Sequence, residues 1–486
     1  MALAIIVYDA LWVYRSGSVA IRAAIAYRKL QRWQSVDWLG RAQEHPNFDR
    51  AYHLVIVPTY GESVDILRTT LTYLANQDFP RERLAVVVGF ESRDREAWKR
   101  SQQLLEEFRG RFGYFWTNFH RLTAGEVPGK SSNEASAARY AKQRLVDEAG
   151  VDAEFTTVTT CDADSRLPRQ YLSALTSHFL SFPRTSIFQP AILFYSNIWR
   201  VPTPSRVMNS LHSIYQLAKL TRTDKLIPQS TYSMSLAACI EVGYWDGNVI
   251  PEDSHMFFKM LFHFGSQVRV VPMYLAVIAD AVESTSYVGT VRSQFNQEKR
   301  WAWGVADVPY VLRGWARAKT PGFSTGYRVL RYVEEHLNWP IGPFLLTFGG
   351  GAPAYFNHDF AYTPLGRVLP SLTGQIMTSS MAFMVLLWVV DWKLKPDAET
   401  AWPLLTRLIG LVEWLLLPVA GLMLSAVPGL VAHTRLLFGR YMEYNVTPKL
   451  AGPPASNVEA GRSAELEPLG QLEAAFSPVR TPTERR

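Results

Sequence analysis

Cysteine is scarce here: 486 residues contain only Cys161 and Cys239. Two thiols can build neither a disulfide framework nor a four-thiolate zinc site. Both sit in apolar surroundings, so they read as buried free thiols and suit a reducing compartment. Zinc-finger spacing, a basic zipper and internal repeats are also missing. A strong charge of one sign is missing too, because 50 Lys and Arg against 43 Asp and Glu leave only +7. Many of those basic residues flank apolar segments, a distribution that suits a membrane surface better than a nucleic-acid groove. Membrane lipids are therefore expected partners, and nucleic acid is not.

What is present divides unevenly along the chain. Its length exceeds one ordinary core, so two or more structural units are expected. A mean hydropathy of −0.04 averages two unlike regions. Residues 50–320 read as a soluble α/β domain, and 336–432 are far more apolar and aromatic. The N-terminal run MALAIIVYDALWVY falls short of the ~20 apolar residues that a spanning helix needs. Basic residues follow it rather than precede it, which argues against a cleaved signal peptide. Residues 1–35 thus read as a membrane-associated helix, either one marginal span or a helix lying at the interface. Farther on, 371–390 and 408–431 are long enough and nearly free of charge, so both are expected to span. Glu413 is the acid within the second, and such a residue is expected to face protein or water. The stretch 339–356 is interrupted by prolines and a Gly-Gly-Gly, as in a broken or re-entrant helix. The Pro-, Ala-, Ser- and Glu-rich tail is expected to be disordered.

From His53 short apolar strands alternate with helical stretches. Strand 53–62 precedes a helical run from Ser63, strand 84–94 leads into a charged helix, and a helix at 133–149 precedes strand 155–165. Such alternation predicts a parallel, doubly wound sheet. Ligands of such sheets sit beyond the carboxyl ends of the strands. The tails of these three strands, Tyr60-Gly61-Glu62, Glu91-Ser92 and Asp162-Ala163-Asp164, are expected to face one crevice.

Three groups of residues carry chemistry, each against a plainer reading. Asp162 and Asp164 can offer carboxylate oxygens to Mg²⁺ or Mn²⁺, although Asp and Ser also favour turns. Glu252 and Asp253 open an apolar helix, where acids are common for the macrodipole alone. The alternative is a general base within reach of an acceptor hydroxyl, and free aspartate (pKa about 3.9) would be ionised at neutral pH. His255 beside them reads as a polar neighbour rather than a ligand. Gln297, Arg300 and Trp301 share one helical face, which supplies an amide, a guanidinium suited to phosphate and a ring on which a sugar can stack. Their plainer reading is an amphipathic juxtamembrane helix with interface tryptophans.

The order P-T-Y-G-E (58–62), G-K-S-S-N (129–133), D-A-D, E-D and Q-x-x-R-W resembles membrane-bound, polysaccharide-synthase-like family 2 glycosyltransferases, relatives of cellulose, hyaluronan and chitin synthases. The resemblance spans about residues 50–305. It implies a GT-A-like α/β fold, a doubly wound and mostly parallel sheet with helices, followed by an α-helical transmembrane region. The corresponding divisions are 1–49 for an N-terminal membrane-associated helical region and 50–315 for the transferase domain. Interface and transmembrane helices follow over 316–445, and 446–486 is the disordered tail. By resemblance, Thr59, Tyr60 and Glu62 cradle the donor nucleoside, and Lys130 and Asn133 lie against the donor. Asp162 and Asp164 match the donor- and metal-binding pair, Asp253 the catalytic base with Glu252 beside it, and Gln297, Arg300 and Trp301 the acceptor-side motif. Two positions depart from the pattern. Glu91 stands where an aspartate contacts the base, and Pro251 stands where synthases commonly have threonine.

The resulting expectation is an inverting, metal-dependent hexosyltransferase that takes a nucleotide-diphosphate sugar, a UDP-sugar in the first instance. Its acceptor would be a glycan, extended processively at the membrane, with the catalytic domain on the cytosolic side. Single transfer to a lipid-linked acceptor is the alternative. A non-catalytic scaffold or transporter on a degenerate transferase fold is a third reading, with Glu91 as its only support.

Overall fold

Seven short stretches rich in β-branched and aromatic residues assemble into one sheet: β1 (Tyr52–Thr59), β2 (Leu84–Glu91), β3 (Tyr114–His120), β4 (Thr156–Thr160), β5 (Ser186–Leu193), β6 (Tyr232–Ser235) and β7 (Arg269–Ile278). In this computed structural model, which describes residues 1–318, 322–398 and 403–442, the strand order is β3-β2-β1-β4-β6-β5-β7. All neighbours run parallel except β6, which is antiparallel to both β4 and β5. The architecture is the expected mixed α/β one, with a mostly parallel sheet. The 446–486 tail lies outside the described residues.

Near-continuous apolar strands require cover on both faces, and the period of two divides them cleanly. Leu54, Ile56, Val87 and Val158 enter one buried cluster with Ala137, Ala138 and Ala141 of the Lys130–Lys142 helix. Val55, Val57, Val86 and Val88 enter the other, with Leu67, Leu71 and Leu104. The parallel register brings the carboxyl ends of β1, β2 and β4 to one edge, with Thr59 beside Phe90 and Ile56 beside Thr160.

Three helices among the described residues are long and apolar enough to cross a membrane: Ala2–Gln34, Pro364–Leu394 and Leu417–Leu437. The first is longer than the apolar run at its start. Leu3, Val7 and Leu11 are exposed, while Ala20, Ala23, Ala26 and Leu30, spaced for one helical face, are buried against the sheet domain. The 339–356 stretch is interrupted at its glycines, not at its prolines. Helix Phe323–Phe348 runs through Pro340 and Pro343, and a short helix, Ala352–Phe356, begins after the Gly-Gly-Gly. The expected single span over 408–431 is also divided. Helix Pro403–Trp414 stops two residues before the next begins, where Pro418 occupies the first turn. Proline fits there because it lacks the N–H that an interior position would need.

Two acids fasten these helices to the sheet domain. Glu413 faces protein, accepting from Arg206 Nε at 2.8 Å. Asp391 is 2% exposed. It accepts from Tyr195 Oη at 2.9 Å and Trp414 Nε1 at 3.2 Å, and pairs with Lys395 Nζ at 2.6 Å. Cys161 and Cys239 are free and buried.

Candidate active site

Beyond β4 the chain turns tightly, Asp162 O accepting from Ser165 N at 2.9 Å. The plain turn reading is therefore true of the backbone, yet the side chains do more. Lys130, the first residue of its helix, puts Nζ 2.7 Å from Asp162 Oδ1, 2.9 Å from Glu252 Oε1 and 3.6 Å from Glu134 Oε1. One ammonium thus joins the acid pair after β4 to the acid pair that opens helix Glu252–Phe264.

Ser230 forms the second junction. Its hydroxyl donates to Asp162 Oδ2 at 2.5 Å, its N–H donates to Asp253 Oδ2 at 3.2 Å, and its carbonyl accepts from Lys130 at 2.8 Å. Its φ of 59° lies in the left-handed region. That conformation costs a non-glycine residue of order 1–3 kcal/mol and clusters at functional sites.

Charge balance at this node moves several protons. Burial lowers the Lys130 amine, but Asp162, Glu252 and Glu134 outweigh it and hold the group well above its ordinary range as an ammonium. Burial and the Glu252 charge push Asp253 up to about 7, against the pull of Lys130. The expectation of a freely ionised aspartate at neutral pH is corrected accordingly, because this carboxyl is desolvated beside another acid. Glu134, fully enclosed, is raised to about 8 by burial.

The remaining positions spread along the same edge. Glu62 Oε2 accepts from Thr59 Oγ1 at 2.8 Å and from Tyr60 N at 2.6 Å, closing the turn after β1. Gly61 at φ 84° completes that turn and donates to Asp94 Oδ2 at 3.1 Å. Glu91 is 2% exposed. It is held by His120 Nδ1 at 3.0 Å and Arg93 Nε at 3.4 Å. Asn133 turns toward β2, its Nδ2 donating to Gly89 O at 2.7 Å. Asp164 diverges from Asp162, its Oδ2 accepting from Asp280 N at 3.1 Å beyond β7.

Gln297, Arg300 and Trp301 lie on helix Tyr287–Ala302. Gln297 is buried with Oε1 unpartnered among the described residues, and Arg300 is half-buried. The Trp301 ring lies 5.9 Å from that of Phe194 and 5.2 Å from that of His212. Ala302 and Trp303 share an apolar cluster with Ile250, so the end of this helix rests beside the loop that leads into Pro251 and the acid pair.

The sequence model of the family described as "Glycosyl transferase family group 2" matches residues 157–426, more than half of the chain. The chain belongs to that family. The matched range contains both acid pairs and the Gln-Arg-Trp helix, while the Pro-Thr-Tyr-Gly-Glu and Gly-Lys segments precede it. Among solved structures the transferase is similar to the mannosyltransferase PcManGT from Pyrobaculum calidifontis in complex with GDP-Man and Mn²⁺. That match has 16% identity over 79% of this chain and 99% of the other, with a TM-score of 0.47. S. aureus TarS 1–349 in complex with UDP-GlcNAc is similar at 13% identity, covering 81% of this chain and 94% of that one, with a TM-score of 0.35. No curated protein matches the sequence.

The transferase has no group of three or more His, Cys, Asp or Glu side chains arranged to hold a metal among the described residues. Asp162 and Asp164 supply the oxygen donors that Mg²⁺ or Mn²⁺ take, commonly one or two carboxylates with substrate phosphates and water completing the shell, and here they face different partners, Lys130 and the Asp280 N–H. Several residues of the site escaped the sequence reading. Glu134 sits four residues after Lys130 on one helical face, a legible signal. His120 closes the adjacent strand end. Ser230 carried no signal, since its role depends on β6 entering the sheet.

Proposed function

We propose that the protein transfers a sugar from a nucleotide-diphosphate sugar, a UDP-sugar in the first instance, to an acceptor hydroxyl at the membrane, with inversion. The observation that carries this is the Lys130 ammonium shared by Asp162 and Glu252, with Asp253 next in sequence and joined to Asp162 through Ser230. That shared ammonium joins the two acid pairs, which supports reading one as the donor side and the other as the base side. Thr59, Tyr60 and Glu62 would form the nucleoside end of the donor site, with Glu91 and Asn133 behind it. Lys130 would trade one of its carboxylate partners for diphosphate oxygens. Asp164 with Asp162 would hold Mg²⁺ or Mn²⁺, which when bound offsets charge on the departing diphosphate.

The acceptor oxygen attacks the anomeric carbon, the bond from that carbon to the diphosphate breaks, and the acceptor proton passes to Asp253. Gln297, Arg300 and Trp301 would line the acceptor side. Their Q-x-x-R-W spacing favours processive extension of a glycan, which would grow beside the membrane helices from a catalytic domain on the cytosolic side. The test is nucleoside-diphosphate release from a panel of sugar donors with and without divalent cation, followed by product mass. Metal-dependent release and a ladder of products are expected. A single added sugar would replace extension by single transfer to a lipid-linked acceptor, and no release from any donor would overturn the reading.

A further inference from the structure

Two residues beyond Asp253, on the same helix, His255 is buried between two carboxylates. Nδ1 lies 2.6 Å from Asp307 Oδ1 and Nε2 lies 3.0 Å from Asp246 Oδ2. A neutral imidazole carries one N–H and one lone pair, so it can donate to only one of these acids, whereas imidazolium donates to both. The Tyr310 ring stacks on the imidazole with centroids 4.1 Å apart. Lys259, one turn farther along the helix, pairs with the other oxygen of Asp246. Burial lowers the His255 pKa, but Asp246 and Asp307 outweigh it and raise it to about 9. Asp307 Oδ2 is buried with no partner among the described residues, so the link to His255 is what compensates that carboxylate.

The two carboxylates belong to segments that matter. Asp246 lies in a loop strapped to the Lys130 segment: Asp246 O accepts from Ser131 Oγ at 2.7 Å, and Gly247 O accepts from Val127 N at 2.8 Å. Asp307 ends the Trp303–Asp307 turn that follows the Gln297-Arg300-Trp301 helix. A second link runs beside the first. Tyr332 Oη is 3.2 Å from Ser254 Oγ and donates to Gly304 O at 3.0 Å.

We propose that His255 is a positioning residue that clamps the Asp253 helix between the Lys130 segment and the acceptor-side helix, holding base, donor and acceptor in register. The proposal rests on the reading of Asp253 as the base. The clamp explains why an imidazolium is buried between two carboxylates two residues beyond Asp253. Displacements of about 1 Å at such a site cost of order 10²-fold in rate.

The experiment uses the full-length protein and its His255→Asn and Asp307→Asn variants. Turnover, nucleoside-diphosphate affinity and a histidine NMR titration are compared across the alkaline range. His255→Asn should lower kcat by about 10²-fold and leave nucleoside-diphosphate affinity unchanged. Wild-type turnover should fall as pH rises through about 9, where the imidazolium loses its proton. Asp307→Asn removes one of the two facing carboxylates and should move that limb to lower pH. Unchanged kcat in His255→Asn, or equal losses of kcat and nucleotide affinity, would overturn the clamp. Should His255→Asn fail to fold, an alkaline limb that Asp307→Asn does not move would overturn it alone. A wild type that turns over no donor refutes the reaction instead, and the titration then decides. A buried imidazole titrating near 9 upholds the clamp, and one near the ordinary 6.5 removes it.

Discussion

Along the ends of β1, β2 and β4 the site is made from consecutive residues, each strand delivering its own tail: Thr59 to Glu62, Glu91 to Asp94, Asp162 to Asp164. The opposite side is made from pieces far apart in the chain, Ser230, Glu252 and Asp253, and the helix carrying Gln297, Arg300 and Trp301. Their meeting depends on long-range polar links rather than on a shared register. A parallel sheet places its carboxyl ends by topology, so this edge, the proposed donor edge, inherits its geometry. The other side, the proposed base side, must be held by specific bonds, and those bonds run through Lys130, Ser230 and His255. The two edges should therefore fail differently when single groups are removed.

The sharpest contrast is expected at Asp253. Asp253→Asn should remove about 10²–10⁴-fold of turnover without lowering the melting temperature, because a positioned base contributes that much to rate and the amide carries no buried charge. Nucleoside-diphosphate release per folded molecule is the measurement. Lys130→Met, between the edges, should damage both function and fold. It strands Asp162, Glu252 and Glu134 without their shared cation, at about 3–5 kcal/mol, read by chemical denaturation alongside donor binding.

A pH series separates the edges again. With Asp253 at about 7, turnover should rise with pH through that value as the base loses its proton. Stability should move the other way. Both Asp253 and Glu134 sit above their unfolded values in the native state, which therefore binds more protons than the unfolded chain. Stability then falls as pH rises between the unfolded carboxylate range and about 8, and thermal melts across that interval check the sign. The smallest effect belongs to the donor edge alone. A Cβ at Gly89 would collide with Asn133 Oδ1, so Gly89→Ala should cost about 1–3 kcal/mol with Asp253 chemistry intact. Equal loss of kcat in the folded fraction would show that the edges are not separable.

Legibility followed the same divide. The β-branched runs of β1, β2 and β4 announced themselves, as did the acids at their ends, because period and length are local properties. The four residues of β6 did not, and with them went Ser230, whose backbone and hydroxyl matter only once Tyr232–Ser235 slots between β4 and β5. Asp253 was legible as an acid of the candidate site but not as a carboxyl near neutrality, since desolvation is a property of the assembled cavity. The N-terminal helix was underestimated because its buried face is mostly alanine, which adds little hydropathy and still packs closely. In the last apolar stretch, Pro418 marked the division that composition alone had concealed.

That first helix has a practical corollary. Its outer turns are suited to lipid, and the inner ones form part of the wall against which the sheet is built. Trimming the chain back to the first strand, the usual route to a water-soluble enzyme fragment, would strip that wall and lay bare apolar side chains that detergent cannot replace in kind. Anchor and catalyst share one rod, and each loses its footing without the other.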